Sequence, residues 1–481
     1  MKNNTITLTN EKLKGQFYTP EFIINNILDL AGYYGESIIR KHVIDNSCGD
    51  GAFLVLIVTR YCDEFLKFNS DLNTLSEELL NYIHGIEIDE IECNKCINNL
   101  NELVAKYGLR DIKWDIQCSD ALQIDKYNGM MDFVLGNPPY VRVHNLGDSF
   151  DLIKNFLFAQ NGMTDLYIVF YEIGLRMLNK DGILGYITPS SFFNSIAGKF
   201  MRSYLVNNNL IDKVVDLKHY QAFEARTYTT ILILKQGRKQ TTMDYYEFDS
   251  KHNIPYYVDT LTITDYNICD NFYFASKSDL NTLRSILLYR GNGEHFVVKN
   301  GFATLADNFF IGDFEFDDFT IPIVKASTGK VNNCLFPYLD GKIVPYEELT
   351  KNPLIKTYYE VNKDLLQKRS LDKNAKWYGF GRSQGINDVY SVKYSINTLI
   401  RDKTDLKLTR CDKNVGVYSG LYIVTDVTEN ELKTMLCCDE FVTYISLLGK
   451  YKSGGYYTFS SKDLKIYLEY QYSQENKRRV I

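Results

Sequence analysis

The stretch Leu135-Gly136-Asn137-Pro138-Pro139-Tyr140 limits the fold more than any other part of the chain. The residues before it, Met131-Asp132-Phe133-Val134-Leu135, form a short apolar run with the character of a buried strand. Two consecutive prolines then end sheet pairing, because neither has an N–H to donate. The strand must stop there, which presents Asn137 and Tyr140 at its C-terminal edge. In open α/β sheets that edge is where ligands sit. A polar amide and a large ring on a rigid turn contribute little to stability; the plain alternative is a Pro-Pro turn.

Three more strand-and-turn units precede this one. Val43-Ile44-Asp45-Asn46-Ser47-Cys48-Gly49-Asp50-Gly51 reads as strand and tight turn, with a helix following. Gly49 and Gly51 let the backbone approach a ligand closely. The loop has neither a G-x-x-x-x-G-K-[ST] nor a full G-x-G-x-x-G pattern, so it is not a phosphate loop. Ile83–Asp89 is an apolar strand ending in acids, and Glu87 stands where dinucleotide-type folds bond ribose hydroxyls. Trp114–Cys118 is a third strand and ends in Ser119-Asp120-Ala121, where the Asp120 carboxylate can accept from an exocyclic adenine amine. Upstream, Thr19 is expected to cap a helix whose first residue is Pro20 and whose apolar stripe holds Ile23, Ile24, Ile27, Leu28 and Leu30. Strand-and-turn units separated by helical stretches predict a parallel, doubly wound sheet.

Taken in order, these residues resemble the gamma-class N6-adenine DNA methyltransferases of restriction–modification systems. Gln16-Phe17-Tyr18-Thr19-Pro20 is similar to their N-terminal S-adenosylmethionine segment. Asp45 to Gly51 is similar to their glycine loop, Glu87 to the ribose-binding acid and Asp120 to the cofactor-adenine contact. Asn137-Pro138-Pro139-Tyr140 is similar to the catalytic motif. The resemblance implies an α/β fold: a Rossmann-like, seven-stranded, mostly parallel methyltransferase sheet, followed by a mixed α+β target-recognition domain. It implies cofactor contacts at Gln16, Tyr18, Thr19, Asp45, Asn46, Ser47, Cys48, Gly49, Glu87, Ile88, Ser119, Asp120, Ala121 and Asn137. Catalysis falls to Asn137, Pro138, Pro139 and Tyr140. An aromatic between the sixth and seventh strands holds the target base opposite the motif tyrosine in this family, and here that residue is Phe223; its bland alternative is a core aromatic.

The residue types suit the implied chemistry. The adenine amine is a weak nucleophile because its lone pair is delocalised into the ring. Fixed acceptors, the Asn137 side-chain oxygen and the Pro138 carbonyl, can draw its hydrogens out of plane with little reorganisation. Tyr140 offers a face to a flipped base, and such stacking is worth roughly 1–3 kcal/mol per base. That offsets much of the few kcal/mol needed for flipping. The expected partner is double-stranded DNA, with a separate cognate restriction endonuclease as a further one. Two alternatives stay open: a methyltransferase acting on a protein glutamine or on RNA, and a catalytically silent DNA-specificity subunit.

The polar break at residues 236–245 sets the expected domain boundary, with 1–240 catalytic and 241–481 for target recognition. In the second half, Trp377-Tyr378-Gly379-Phe380-Gly381-Arg382-Ser383-Gln384-Gly385 reads as a mobile loop able to stack on bases and reach phosphates. Trp377, Tyr378, Arg382 and Gln384 are its candidate DNA contacts. Thr428–Glu431 is a capping box that opens a helix expected over 429–448.

Composition narrows the remaining classes. The 481-residue chain has a formal net charge of −6 and neither half is basic, so any DNA-binding charge must be concentrated locally. No apolar run is long enough to span a membrane, and the chain reads as a cytoplasmic monomer. Ten scattered cysteines suggest reduced thiols, with Cys93 and Cys96 as a core-facing helix pair. No metal-ligand cluster is legible.

Overall fold

The computed structural model describes residues 19–142, 150–223, 227–291, 294–373 and 375–480. The chain forms two compact units, Met1–Asn281 and Thr282–Ile481. The boundary lies some forty residues beyond the polar break at 236–245. The reason is that two further strands, the first beginning inside that break, join the first sheet.

That sheet has nine strands: β1 (Val43–Asp45), β2 (Ile83–Glu87), β3 (Asp115–Cys118), β4 (Met131–Gly136), β5 (Leu178–Pro189), β6 (Ile211–Asp216), β7 (Thr229–Lys235), β8 (Thr242–Asp249) and β9 (Ile254–Thr262). Their order is β3-β2-β1-β4-β5-β7-β6-β8-β9. Strands β3, β2, β1, β4 and β5 are mutually parallel, and β7 is antiparallel to both of its neighbours. The sheet has nine strands where seven were expected: β8 pairs parallel with β6 and β9 closes back antiparallel on β8. The strand order reverses between β1 and β4, the place where doubly wound sheets open a crevice for ligands.

Helices cover both faces. On one side lie α1 (Glu21–Ala31), α2 (Ala52–Phe68), α3 (Leu72–Tyr82) and α4 (Glu90–Ala105). Ile23, Ile24, Ile27 and Leu28 of α1 join Phe53, Leu54, Ile57, Val58 and Tyr61 of α2 in one buried cluster. Each such side chain contributes about 1.5–3 kcal/mol by leaving water. Also in this unit, α5 (Leu166–Met177) buries all but one of its residues, as its mostly apolar sequence requires, and the buried Glu172 carboxylate accepts from the Phe158 N–H at 2.9 Å. Pro20 rather than Thr19 is the N-cap of α1, and no side chain caps that helix. The Thr19 hydroxyl is committed elsewhere, as described below.

The cysteine expectation fails at one pair. Cys93 on α4 is joined to Cys118 at the end of β3 by a disulfide. The two are 25 residues apart in sequence, and only the packing of α4 against β3 brings them together. Cys96 stays buried and free beside Cys48.

The second unit is mixed. Val297–Asn300, Leu421–Val424, Lys393–Ile396 and Leu408–Cys411 make an antiparallel four-stranded sheet. Thr320–Lys325 lies between Lys330–Leu335 and Gly416–Tyr418 in a three-stranded sheet. The capping box at Thr428 and Glu431 is formed. The helix expected over 429–448 is two helices, Glu429–Leu436 and Asp439–Leu447, because Cys437 leaves the helical conformation at ψ 46°.

The segment 377–385 is not the mobile stacking loop that its glycines suggest. Tyr378 is buried, and Trp377 packs 5.2 Å from Tyr346 and 6.0 Å from Tyr359, centroid to centroid. Arg369 donates to the carbonyls of Trp377 and Gly379 at 2.6 and 2.9 Å and to that of Thr304 at 2.6 Å, fastening the segment from below. Tyr378 is therefore a core aromatic, and Trp377 is partly buried against the same core. Arg382 and Gln384 are exposed. The Arg382 backbone pairs with Ala303, and the Gln384 side chain donates to the Gly301 carbonyl at 3.4 Å.

Candidate active site

The site is built where β1, β2, β3 and β4 end side by side. After β1 the chain turns through Asn46–Gly51 into α2. Gly49 has φ +52° and Gly51 φ +90°, conformations that favour glycine. Nothing lies within 4 Å of where a Cβ would stand at Gly49, so the loop faces open space. A Cβ at Gly136 would lie 2.5 Å from Asp45 Oδ1. Glycine there lets the end of β4 pass against the Asp45 carboxylate. The sequence reading missed this role, although Gly136 directly precedes the motif.

Glu87 closes β2 and organises the loop. One carboxylate oxygen accepts from the Gly49 N–H at 2.9 Å, the other from the Asp89 N–H at 2.8 Å. Burial pushes its carboxyl up, and these N–H donors pull it back. Ile88 is 69% exposed beside it, an apolar side chain turned to solvent at a strand end. Ser119 donates its N–H to the Glu87 carbonyl at 2.9 Å, which sets the start of the third turn. Asp120 caps the short 3-10 turn Ala121–Gln123, one oxygen accepting from the Leu122 N–H at 2.9 Å. Ala121 is buried beneath it.

Asp45 is 2% exposed and accepts from the Ser47 N–H at 3.0 Å. Burial is the main reason its carboxyl is pushed up to about 7; the negative charges of Glu87 and Asp50 add to the effect. Asn46 turns away from the open side. Its amide oxygen accepts from the Tyr186 hydroxyl at 2.8 Å and the residue is 1% exposed, so it anchors the loop to the core. Cys48 is buried, with its thiol pushed up by its hydrogen bond to Cys96 and by burial.

The Asn137-Pro138-Pro139-Tyr140 turn leaves β4 beside this loop. Ser47 Oγ donates to the Asn137 carbonyl at 3.4 Å. Asn137 Nδ2 donates to the Thr19 hydroxyl at 3.1 Å, which is where the hydroxyl expected to cap α1 is used. The Tyr140 hydroxyl donates to the Ile187 carbonyl on β5 at 3.0 Å. The Tyr140 ring meets Phe223 edge to face, with centroids 5.9 Å apart, and Tyr167 at 6.2 Å. Phe223 is 7% exposed. Of the residues expected at the site, Gln16 and Tyr18 lie outside the described residues.

Among the described residues no helix is long and apolar enough to cross a membrane, and no group of three His, Cys, Asp or Glu side chains is placed to hold a metal.

Residues 52–223 match the family described as Eco57I restriction-modification methylase. The chain is 31% identical over 245 residues to the Type II methyltransferase M.BstVI of Geobacillus stearothermophilus, covering 48% of this chain and 43% of that protein. It is 24% identical over 412 residues to the Type II methyltransferase M.PaeR7I of Pseudomonas aeruginosa, covering 76% of this chain and 70% of that one. The chain spans less than half the length of M.BstVI and, at 47%, of the Escherichia coli restriction enzyme and methyltransferase RM.Eco57I. Its fold is similar to that of the Type IIL restriction-modification enzyme MmeI, solved with DNA, at a TM-score of 0.63 and 15% identity over 92% of this chain and 64% of that one. In the order of its motifs, in sequence and in fold, the chain thus resembles the methyltransferases of restriction–modification systems.

Proposed function

We propose that the protein is a sequence-specific DNA methyltransferase that uses S-adenosylmethionine to methylate N6 of an adenine flipped out of duplex DNA. The observation that carries the reading is the juxtaposition at the crevice between β1 and β4: the glycine loop held by Glu87 stands beside an Asn-Pro-Pro-Tyr turn held by Thr19 and Ser47. S-adenosylmethionine, when bound, supplies a methyl group already activated on a sulfonium. The pocket residues fit such a group: open space over Gly49, the apolar Ile88 side chain at the strand end, and carboxylates at Glu87 and Asp120. Glu87 would hold the ribose hydroxyls, and Ile88, Asp120 and Ala121 would hold the adenine.

The chain's own residues then act on the target. Asn137 Nδ2 donates to Thr19, and the amide oxygen is the first acceptor for the target amine. The Pro138 carbonyl, fixed between two rigid rings, is the second acceptor. Together they favour a pyramidal nitrogen whose lone pair points at the methyl donor, and alignment with exclusion of water does the rest. Tyr140 and Phe223 hold the base from its two sides. Residues of the second unit, Arg382 and Gln384 among them, read the DNA sequence, and a separate cognate endonuclease is the expected partner in the cell. The likeness to the Type II methyltransferases M.BstVI and M.PaeR7I favours this reading over glutamine or RNA methylation.

The test is transfer of tritium from labelled cofactor to genomic or plasmid DNA, followed by nucleoside analysis and long-read sequencing. Label in N6-methyladenine at one sequence motif is the expected result. Label on cytosine, on RNA or on a protein glutamine replaces the reading.

A further inference from the structure

Two large apolar side chains are among the most exposed of the first unit, and both belong to loops fastened to the Tyr140 turn. Met163 is 74% exposed and Ile196 76%. A Cβ placed on Gly162 would lie 3.5 Å from Ile196 Cγ2, so the two loops touch immediately before Met163. The Met163 loop is tied to the residues directly after the motif: Leu166 donates its N–H to the Val141 carbonyl at 2.7 Å, and the backbones of Arg142 and Asp165 pair antiparallel. The Ile196 loop is tied to the same turn through Tyr167. That ring packs on Tyr140, and its hydroxyl shares a 3.0 Å hydrogen bond with Ser191 Oγ.

Neither loop is a slack tip. Arg202 is 5% exposed and donates to the carbonyls of Phe192 and Ser195 at 2.6 and 2.8 Å, and to that of Asp270 at 2.7 Å. It spans the Ile196 loop from beneath. Buried Thr164 donates to the carbonyls of Ala159 and Asn161, bracing the Met163 loop in the same way. The fold thus spends a buried arginine and a buried threonine on presenting two apolar groups to water. Two side chains are far too small a surface for a stable protein partner, which buries on the order of 800 Å² per side. They match a different occupant. Apolar wedges such as Ile and Met enter between base steps and unstack them, and an enzyme that extrudes a base must fill or prise open the stack it leaves.

We propose that Met163 and Ile196 form a rigid apolar wedge that enters the base stack of duplex DNA next to the target nucleotide and drives its extrusion toward Tyr140. The proposal rests on the reading of the site as a DNA methyltransferase. It assigns the two residues to positioning of the target, with no contact to cofactor or to the reacting atoms.

The experiment uses the full chain and a duplex bearing the motif found by sequencing, in matched form and with the target adenine opposite an abasic site. The double variant Met163→Ser, Ile196→Ser should lower methyl transfer on the matched duplex by about tenfold or more and recover to within about threefold of wild type on the abasic one, where flipping costs little. With 2-aminopurine in the target position, the fluorescence rise on binding should shrink in the variant for the matched duplex alone. Cofactor affinity should be unchanged. If the double variant loses that affinity, the single variants are measured the same way, and Met163→Leu with Ile196→Leu should restore transfer. Equal losses on both duplexes, or wild-type rates on the matched one, overturn the wedge. Wild-type protein that methylates no DNA overturns the proposed function instead.

Discussion

The rings of Tyr140 and Phe223 meet edge to face, their centroids 5.9 Å apart and their planes at 77°. A base sandwiched between two parallel rings needs them about 7 Å apart, twice the 3.4 Å stacking rise of a nucleic-acid strand. The pair is therefore closed as it stands, and taking in a base requires one ring to turn. Tyr140 is restrained by its hydroxyl on the Ile187 carbonyl, which fixes one end of that movement.

Removing that restraint and removing the ring have different consequences. Tyr140→Phe should cost about 0.5–1.5 kcal/mol of stability through the lost hydrogen bond and leave methyl transfer within a few-fold of wild type. Tyr140→Ala and Phe223→Ala should each weaken binding of a flipped or abasic-paired target by about 1–3 kcal/mol. Single-turnover rates and DNA affinities measured together check this. A Phe223→Ala enzyme indistinguishable from wild type returns Phe223 to the core.

Glu87 joins two tasks in one carboxylate. It holds the Gly49 and Asp89 N–H groups and, in the proposed function, the ribose hydroxyls. Glu87→Ala should weaken S-adenosylmethionine binding by about 1–3 kcal/mol, the range for charge-assisted hydrogen bonds. Glu87→Gln should lose less, since its amide oxygen still accepts. Titration calorimetry on the free protein decides the matter, and unchanged affinity removes Glu87 from the ribose role.

Asp45 makes the protein sensitive to pH near neutrality. Its folded-state carboxyl is raised to about 7 from an ordinary 3.8, chiefly by burial. Between those values the folded protein holds a proton that the unfolded chain has lost, so this group's contribution to stability is full below pH 4 and disappears as pH rises through 7. A cationic ligand beside Asp45 favours the ionised form and must displace the proton below pH 7. Cofactor affinity should accordingly rise between pH 6 and 8, while the cofactor-free protein loses stability between about pH 4 and 7. Asp45→Asn should flatten both profiles.

The parts of the molecule legible in the sequence are those whose geometry is local. Two prolines end β4 whatever surrounds them, and an acid at the end of β2 has the glycine loop as its neighbour in any doubly wound sheet. Asn46 could not be oriented from its position, because whether a loop amide faces outward depends on Tyr186, 140 residues away. Tyr378 misled for a related reason. Glycines among aromatics describe a mobile loop and a closely packed aromatic core equally well, and the fastening comes from Arg369 outside the segment. The disulfide between Cys93 and Cys118 and the pairing of β8 with β6 are likewise facts of packing. The Thr19 hydroxyl was read as a helix cap from its local sequence; its partner is Asn137, 118 positions on.

In the second unit the remaining candidate contacts differ in kind. The Arg382 side chain is exposed while its backbone is pinned to Ala303 through both N–H and carbonyl, at 2.9 and 3.1 Å. A guanidinium on a fixed backbone is suited to a bidentate base contact. Arg382→Ala should cost about 1–3 kcal/mol in affinity for the cognate site and relax the methylated motif at one position. Long-read sequencing of DNA from cells expressing the variant reads the motif directly. An unchanged motif with unchanged affinity places recognition elsewhere in the unit.

The hydrogen bond from Asn137 to Thr19 allows catalysis to be tested without touching either the cofactor acids or the aromatic clamp. Asn137→Ala removes an acceptor aimed at the amine in the transition state, so methyl transfer should fall by about 10²-fold or more while cofactor binding stays near wild type. Thr19→Val keeps the volume but removes the acceptor for Asn137 Nδ2, freeing the amide to rotate; a loss of about tenfold is expected, since orientation alone is affected. Thr19→Ser, which retains the hydroxyl, should be close to wild type. Because the two residues act through one amide, their effects should not add. In the Asn137→Ala background, Thr19→Val should change the rate little. Additive losses in that cycle assign Thr19 a separate role in holding the cofactor, and equal cofactor affinities across all four proteins confine its role to positioning Asn137.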